Sequence, residues 1–161
     1  MRLTLWGPLA PLGLALATLV FGLDQAHKYW MLHVYNINEK QLVSLTPFLD
    51  LILVWNQGVS YGLLKSNTQG LLIGMSLIIS CVLWVWLCRS HRPLSAAALG
   101  LVIGGALGNA LDRYIYGAVA DFFHLHLGTV SWYVFNVADM AIVAGVCLLL
   151  YESVAERRVL E

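Results

Sequence analysis

The chain has 161 residues, of which 60% are hydrophobic and 11% are charged, and its mean hydropathy is +0.76. A soluble domain of this size needs more charge to cover its surface, so the composition excludes an ordinary globular protein and indicates a membrane protein. Nine basic and nine acidic residues leave no formal net charge, which argues against nucleic acid as a partner.

The first predicted membrane span covers residues 5–31. Its uncharged part is long enough to cross the roughly 30 Å hydrocarbon core of a bilayer, and the helical pattern continues through Asp24 and Lys28. A cleaved signal peptide is the alternative, because Ala15-Leu-Ala17 resembles a cleavage site, but the apolar run is longer than signal peptides usually have. Asp24 and Lys28 are spaced for an ion pair on one helical face, and we expect a simple salt bridge at the membrane interface.

Residues 33–68 are too polar to span a bilayer and are predicted to form a small extramembrane cap. Two segments, 41–45 and 49–56, have the β-branched and apolar residues typical of strands, and the turn signal Thr46-Pro47 lies between them. The cap is therefore expected to contain a small β-platform that lies on the bilayer.

Three further spans and one connecting loop are predicted, the spans at 69–88, 94–113 and 136–155 and the loop at 114–135. Within the third span, Gly100, Gly104 and Gly108 recur every fourth residue, a small-residue stripe that lets a neighbouring helix approach closely. The chain is thus predicted to be a single integral membrane domain over residues 1–161. Its fold class is an all-α polytopic membrane protein with four transmembrane helices and a small extracytoplasmic β-platform.

The basic residues favour a topology with both termini in the cytoplasm. One group lies in the tails and in the tight hairpin between the second and third spans, whereas members of the other group sit beside acids at the opposite face. By the positive-inside rule the first group is cytoplasmic. The first group is Arg2, Arg89, Arg92, Arg157 and Arg158, and the second is Lys28, Lys40, Lys65 and Arg113.

With this topology, polar side chains from different segments gather at the outer face. Asp139 interrupts an otherwise uncharged run, and an ionisable group inside a span is costly and usually functional. Residues three or four apart on a helix share a face, so the third and fourth spans each offer an amide and a carboxylate at the same depth. The group is Asn109, Asp112 and Arg113 from the third span, Asn136 and Asp139 from the fourth, and Asp121 from the loop.

Two aspartates in a partly dry site suit hydrolysis of a peptide bond. If the carboxyls of Asp121 and Asp139 approach one water, their repulsion raises one pKa, so that one is protonated and the other ionised. The ionised group then takes a proton from water and the protonated group polarises the scissile carbonyl. Which aspartate holds the proton is a property of the coupled pair and stays open at this point.

Several alternatives compete with this hypothesis. Asp139 is also suited to carry protons in a small proton-coupled transporter, and the glycine stripe to assemble a lipid-binding scaffold. His124 and His126 are candidate metal ligands with Asp121 or Asp139, although neither cysteine nor glutamate accompanies them. Ser60 and Ser131 lack a visible base for a serine nucleophile. Asp112 is expected to pair with its neighbour Arg113, and the three cysteines to be buried free thiols.

Five blocks in the same order resemble the prolipoprotein signal peptidases, also called signal peptidase II, which are bacterial membrane aspartic proteases. The resemblance covers nearly the full length. The blocks are Asp24-Gln-Ala-His-Lys28, Asn56-Gln-Gly-Val-Ser-Tyr-Gly62, Gly104-Gly-Ala-Leu-Gly-Asn-Ala-Leu-Asp-Arg113, Gly117-Ala-Val-Ala-Asp-Phe122 and Phe135-Asn-Val-Ala-Asp139.

The resemblance implies an endopeptidase of the inner membrane that removes the signal peptide from diacylglyceryl-modified prolipoproteins by cutting just before the lipidated cysteine. It implies no cofactor and no metal, membrane lipids as surroundings, a monomer, and a periplasmic helix over the active site. By position, Asp121 and Asp139 match the catalytic pair. Matches to substrate-binding residues are Asn56, Asn109, Arg113 and Asn136, and those to supporting residues are Asp24, Lys28, Gly108 and Asp112.

Overall fold

The computed structural model describes residues 5–58 and 68–160, so Arg2, Ser60 and Lys65 lie outside the described residues. Five α-helices and four strands fill these ranges. The helices are α1 Ala10–Tyr29, α2 Ile37–Lys40, α3 Thr68–Arg89, α4 Pro93–Tyr116 and α5 Val137–Leu160, and a π-helical turn, Trp30–Val34, extends α1. The strands are β1 Leu42–Thr46, β2 Leu49–Asn56, β3 Val119–Leu127 and β4 Val130–Phe135.

Within the described ranges, α3, α4 and α5 are long and apolar enough to cross a membrane. The 20 residues of α1 give about 30 Å at 1.5 Å per residue, which matches the same hydrocarbon thickness. The predicted fold class, a mostly helical polytopic membrane protein with a small β-platform, is confirmed. As predicted, the first helix continues through Asp24 and Lys28. Helix α3 ends at Arg89, and Pro93 begins α4.

Helix α4 lies at the centre of the bundle, with α1, α3 and α5 packed around it. The predicted close approach at the glycine stripe is confirmed, because a Cβ on Gly100 or Gly104 would lie 2.5 Å from a backbone oxygen of α1. Gly105 and Gly145 make similar contacts between α4 and α5, where a Cβ would meet backbone oxygens at 2.5 and 2.6 Å. Small residues therefore let three helices pack backbone to backbone.

Among the described residues, the four strands form one antiparallel sheet in the order β1-β2-β3-β4. The strands predicted at 41–45 and 49–56 correspond to β1 and β2. The segment 114–135, predicted to be a loop, instead completes α4 and then forms β3 and β4. The first four residues of β3 are all buried, so this strand lacks the alternation of buried and exposed residues by which a one-sided strand is recognised.

An apolar cluster holds the sheet to the helix bundle. Phe122 and Leu51 of the sheet pack with Met31 and Leu32 of the π-helical turn and with Ile37 of α2. This packing fixes the start of β3 against the end of α1. Helix α2 contacts β2, and the periplasmic helix over the active site stays a prediction.

Candidate active site

The predicted polar residues come together where the sheet meets one end of the bundle. They occupy five elements: the end of α1, the last turns of α4, neighbouring positions of β2 and β3, and the start of α5. Asp24, Lys28, Asn109, Asp112, Asp121 and Asn136 are all buried. Buried polar groups are costly unless they are hydrogen-bonded, and here each of them has partners.

Asp139 and Asn136 cap the N-terminus of α5 for each other. The Asp139 backbone N–H donates to Asn136 Oδ1 at 3.0 Å, and the Asn136 backbone N–H donates to Asp139 Oδ2 at 3.2 Å. This is a capping box, in which two donors of the helix end are satisfied reciprocally. Asp139 is therefore fixed in the first turn of α5, where the helix dipole favours a negative charge.

Asp121 lies on β3 and accepts hydrogen bonds on both oxygens. Asn136 Nδ2 donates to its Oδ1 at 2.7 Å, and Asn56 Nδ2 of the paired strand donates to its Oδ2 at 3.0 Å. Burial raises the pKa of Asp121 from 3.8 to about 6, the hydrogen bond from Asn56 opposes this rise, and the charge of Asp139 adds to it. Burial thus favours the protonated form of Asp121.

Two asparagines link the two carboxylates. Asn109 Nδ2 donates to Asp139 Oδ1 at 2.8 Å, and Asn136 donates to both Asp121 and Asn109 Oδ1, the latter at 3.1 Å. Because Asn136 also accepts from the Asp139 backbone, its amide cannot turn without losing these bonds. The sequence prediction that these four residues share one site is consistent with this geometry.

Lys28 is the centre of a buried ion cluster, which differs from the interfacial salt bridge expected from sequence. Its Nζ lies 2.7 Å from Asp24 Oδ2, 2.8 Å from Asp112 Oδ2 and 3.2 Å from Asn109 Oδ1. An ammonium group has three donors, and here each has an acceptor. The predicted ion pair of Asp24 and Lys28 is confirmed, but it is buried within a larger cluster, because their spacing gives their mutual contact and not the face of α1 that packs on α4.

Asp112 pairs with Lys28, so the expectation that it pairs with Arg113 was wrong. Adjacent residues on a helix point in different directions, and Asp112 faces α1 while Arg113 faces the sheet. The second partner of Asp112 is the backbone N–H of Ala120, 3.1 Å from its Oδ2. Arg113 Nη1 donates to Asn109 O at 3.3 Å, and among the described residues its buried Nε has no hydrogen-bond partner.

Gln25 and Gly108 complete the cluster. Gln25 Nε2 lies 3.1 Å from Asp24 Oδ2, 3.0 Å from Asp112 Oδ1 and 3.2 Å from Gly108 O. A Cβ on Gly108 would lie 2.6 Å from Asp24 Oδ2, so glycine is needed there for α1 to approach. Sequence reasoning did not single out Gln25, although it is three residues before Lys28 and so shares its helical face.

A cleft of about 920 Å³ lies beside Asp121. Its walls combine aromatic side chains with Asn56 and Arg113. Asp139 is not one of the lining residues, and the side chain of Asn136 connects it to Asp121. The lining residues are Val54, Trp55, Asn56, Gln57, Gly58, Arg113, Asp121, Ser131, Trp132, Tyr133 and Val134. This cleft is large enough for an extended peptide segment and reaches the proposed pair from the sheet side.

The histidines that were candidate metal ligands face Asp50 instead of the site. Asp50 Oδ2 lies 3.0 Å from His126 Nε2 and 3.8 Å from His124 Nδ1, and Ser44 donates to Asp50 Oδ1 at 2.7 Å. The Ser44 hydrogen bond and the two histidines lower the pKa of Asp50. Over residues 5–58 and 68–160, no group of three or more His, Cys, Asp or Glu side chains has the geometry of a metal site.

Ser131 does have a histidine within reach, contrary to the sequence-based expectation. Its Oγ lies 2.5 Å from His124 Nε2. The far nitrogen of that ring is 3.8 Å from Asp50, beyond hydrogen-bond distance, so the third member of a serine triad does not orient the imidazole. The cysteines are free, as predicted, but Cys81 and Cys147 are exposed on the helix surfaces and only Cys88 is buried.

Three comparisons with known proteins bear on this site. Residues 16–155 match the family model for Signal peptidase (SPase) II. The chain is 51% identical over 150 residues to the lipoprotein signal peptidase of Methylocella silvestris, covering 91% of this chain and 88% of that protein. It is 50% identical over 146 residues to that of a Methylobacterium species, covering 89% and 88%.

A solved structure of a bacterial membrane enzyme has the same fold. It superposes with a TM-score of 0.77 at 25% identity, over 91% of this chain and 90% of that one. The likeness therefore covers the helices and the sheet together.

Proposed function

The chain belongs to the signal peptidase II family of membrane aspartic peptidases and processes prolipoproteins, and we propose that Asp121 and Asp139 are its catalytic pair. The observation that carries the assignment is the position of Asn136. Its amide donates to Asp121 and accepts from the Asp139 backbone, so a single side chain holds both aspartates. The family match favours a peptidase over the transporter and scaffold alternatives.

We propose different roles for the two aspartates, and their different surroundings support this proposal. Asp121 is buried on a strand with its pKa raised to about 6, which suits a proton donor to the scissile carbonyl. Asp139 lies in the first turn of α5, where its Oδ2 accepts the Asn136 backbone N–H at 3.2 Å, and we propose it as the base that takes a proton from water. Water oxygen then attacks the carbonyl carbon without a covalent enzyme intermediate.

An excess of negative charge at the site supports a shared proton. Four carboxylates are present with two cations, so with every group ionised the site would carry two uncompensated charges. Like charges in a dry site cannot all ionise, and one of the pair is expected to keep its proton. The groups are Asp24, Asp112, Asp121 and Asp139 against Lys28 and Arg113.

We infer that the cleft receives the lipobox segment of a diacylglyceryl-modified prolipoprotein, with cleavage just before the lipidated cysteine. Arg113 lines the cleft, and a guanidinium group, with its several N–H donors, suits a substrate carbonyl. Asn56 holds its amide toward Asp121 because its Oδ1 accepts the backbone N–H of Gly58 at 2.8 Å. The aromatic walls suit the apolar side chains and lipid of such a substrate.

We further propose a single integral domain that works as a monomer in the bacterial inner membrane without cofactor or metal. Both termini are cytoplasmic and the site faces the outer side. The basic hairpin between α3 and α4 supports this topology through the positive-inside rule. Exposed aromatic residues at the other end, among them Trp55, Tyr116 and Trp132, suit the polar head-group region.

Cleavage of a purified diacylated lipobox precursor, followed by mass spectrometry, tests the proposal. We expect Asp121→Asn and Asp139→Asn to lose about 10²–10⁴-fold in rate, the range for a group that transfers protons in the transition state. The matched control is Asp50→Asn, because Asp50 is also a buried aspartate of the sheet but faces the histidines. Full activity in either dyad variant, with a folded protein in the membrane, would refute the assignment.

A further inference from the structure

We propose that Lys28 is a positioning residue that sets the placement of the catalytic pair, an inference that rests on the function proposed above. The two aspartates follow the same local sequence, Val119-Ala-Asp121 on β3 and Val137-Ala-Asp139 at the start of α5. In each case the alanine before the aspartate is completely buried. In both cases the backbone N–H of this alanine donates a hydrogen bond to a carboxylate.

The acceptor for each alanine N–H is a carboxylate of the buried ion cluster around Lys28. The Ala120 N–H donates to Asp112 Oδ2 at 3.1 Å, and the Ala138 N–H donates to Asp24 Oδ1 at 3.0 Å. The residue just before each aspartate is thus anchored by a different helix, α4 for Asp121 and α1 for Asp139. The relative position of the two anchors determines the relative position of the two aspartates.

Lys28 fixes the two anchors to each other. Its ammonium lies 2.7 Å from Asp24 and 2.8 Å from Asp112. Its third donor goes to Asn109 Oδ1 at 3.2 Å, which turns the NH₂ of Asn109 toward Asp139. A single buried cation therefore joins α1, α4, β3 and α5 at the positions that carry the chemistry, although it does not touch the reacting atoms.

A charge-neutral variant separates this role from simple stability. Lys28→Met alone leaves two carboxylates buried without a cation, so loss of folding is expected. Lys28→Met combined with Asp24→Asn and Asp112→Asn removes all three charges, and each asparagine keeps an oxygen that accepts the alanine N–H. The control is Arg92→Met with Glu156→Gln, which removes a cation–carboxylate contact of 2.5 Å at the exposed far end of the bundle.

Cleavage of a diacylated precursor by each variant in detergent is measured as kcat and KM, normalised to the folded fraction from thermal unfolding. For the triple variant we expect kcat to fall about 10²-fold, as for reacting groups displaced by roughly 1 Å, with KM close to the wild-type value. The control variant is expected to keep the wild-type kcat.

The proposal is overturned if the folded triple variant keeps the wild-type kcat, or if its defect lies in KM or follows the unfolded fraction alone. These results leave the proposed function intact provided that Asp121→Asn and Asp139→Asn are inactive. An active dyad variant would instead overturn the proposed function.

Discussion

The two ends of the helix bundle both carry ion pairs between helices, and they differ in burial. At one end Lys28 joins Asp24 and Asp112 with side chains that are 3% and 0% exposed. At the other end Arg92 pairs with Glu156, with side chains that are 50% and 47% exposed, and Ser95 contacts Glu152. Similar chemical groups thus serve a buried framework at one end and a solvent-screened contact at the other.

The difference indicates where rigidity is needed. An exposed pair is worth little because water and salt screen it. A buried pair stabilises little against an apolar replacement, but breaking it is costly because the remaining charge is left unpaired. The buried cluster is therefore better explained by the geometry it imposes on its neighbours than by a contribution to stability. Three measurements test this comparison of the two ends of the bundle.

The largest expected difference in stability is between two variants that each remove one cation, Lys28 at the buried end and Arg92 at the exposed end. Lys28→Met is expected to destabilise the protein by about 3–5 kcal/mol because Asp24 and Asp112 lose their partner. Arg92→Met at the exposed end is expected to cost less than about 1 kcal/mol. Thermal unfolding in detergent measures both, and equal losses for the two variants would contradict the comparison.

A smaller effect is expected from steric pressure on the cluster. Gly108→Ala places a Cβ 2.6 Å from Asp24 Oδ2 and is expected to cost about 1–3 kcal/mol, as for an overpacked interior, together with activity. Gly22→Ala on α1 is the control, since a Cβ there has no neighbour within 4 Å among the described residues and alanine favours the helix by about 0.5–1 kcal/mol. A stable, fully active Gly108→Ala protein would show that α1 need not approach so closely.

The smallest expected effect is a pH dependence of stability that arises at Asp121. Its pKa is about 6 in the folded protein, whereas an unperturbed aspartate has a pKa of 3.8. The folded state therefore binds the proton more tightly than the unfolded state does. Stability from this group is present at low pH and is lost as the pH rises from about 3.8 to about 6. Unfolding temperatures of wild type and Asp121→Asn across that range measure it, and parallel curves would place the pKa of Asp121 near its ordinary value.

Local patterns were sufficient for much of the fold. Hydropathy predicted the helices, and turn signals with β-branched residues predicted β1 and β2. The glycine stripe predicted a close helix contact because the steric reason is local to each residue. Asp121 and Asp139 were predicted as a pair because each lies in a compact motif, and this assignment stays a prediction. The capping box formed by Asn136 and Asp139 was also detectable as an amide followed three residues later by a carboxylate.

Features that depend on tertiary packing were missed or wrongly assigned. The partner of Asp112 is Lys28, 84 positions away in sequence numbering, and only the packing of α1 on α4 brings them together. The contact between Asn56 and Asp121 depends on the register of β2 with β3, which non-local pairing decides. Strand β3 was missed because burial on both sides removes the pattern on which strand prediction depends.

The order of the strands has a consequence for biosynthesis. Strands β2 and β3 are neighbours in the sheet, yet α3 and α4 lie between them in the chain. Asn56 can reach Asp121 only after two helices have been threaded into the bilayer, and Asp139 arrives later still with α5. The proposed catalytic pair is therefore complete in a nascent chain only after the start of α5 has been added, so we expect peptidase activity to require the last helix.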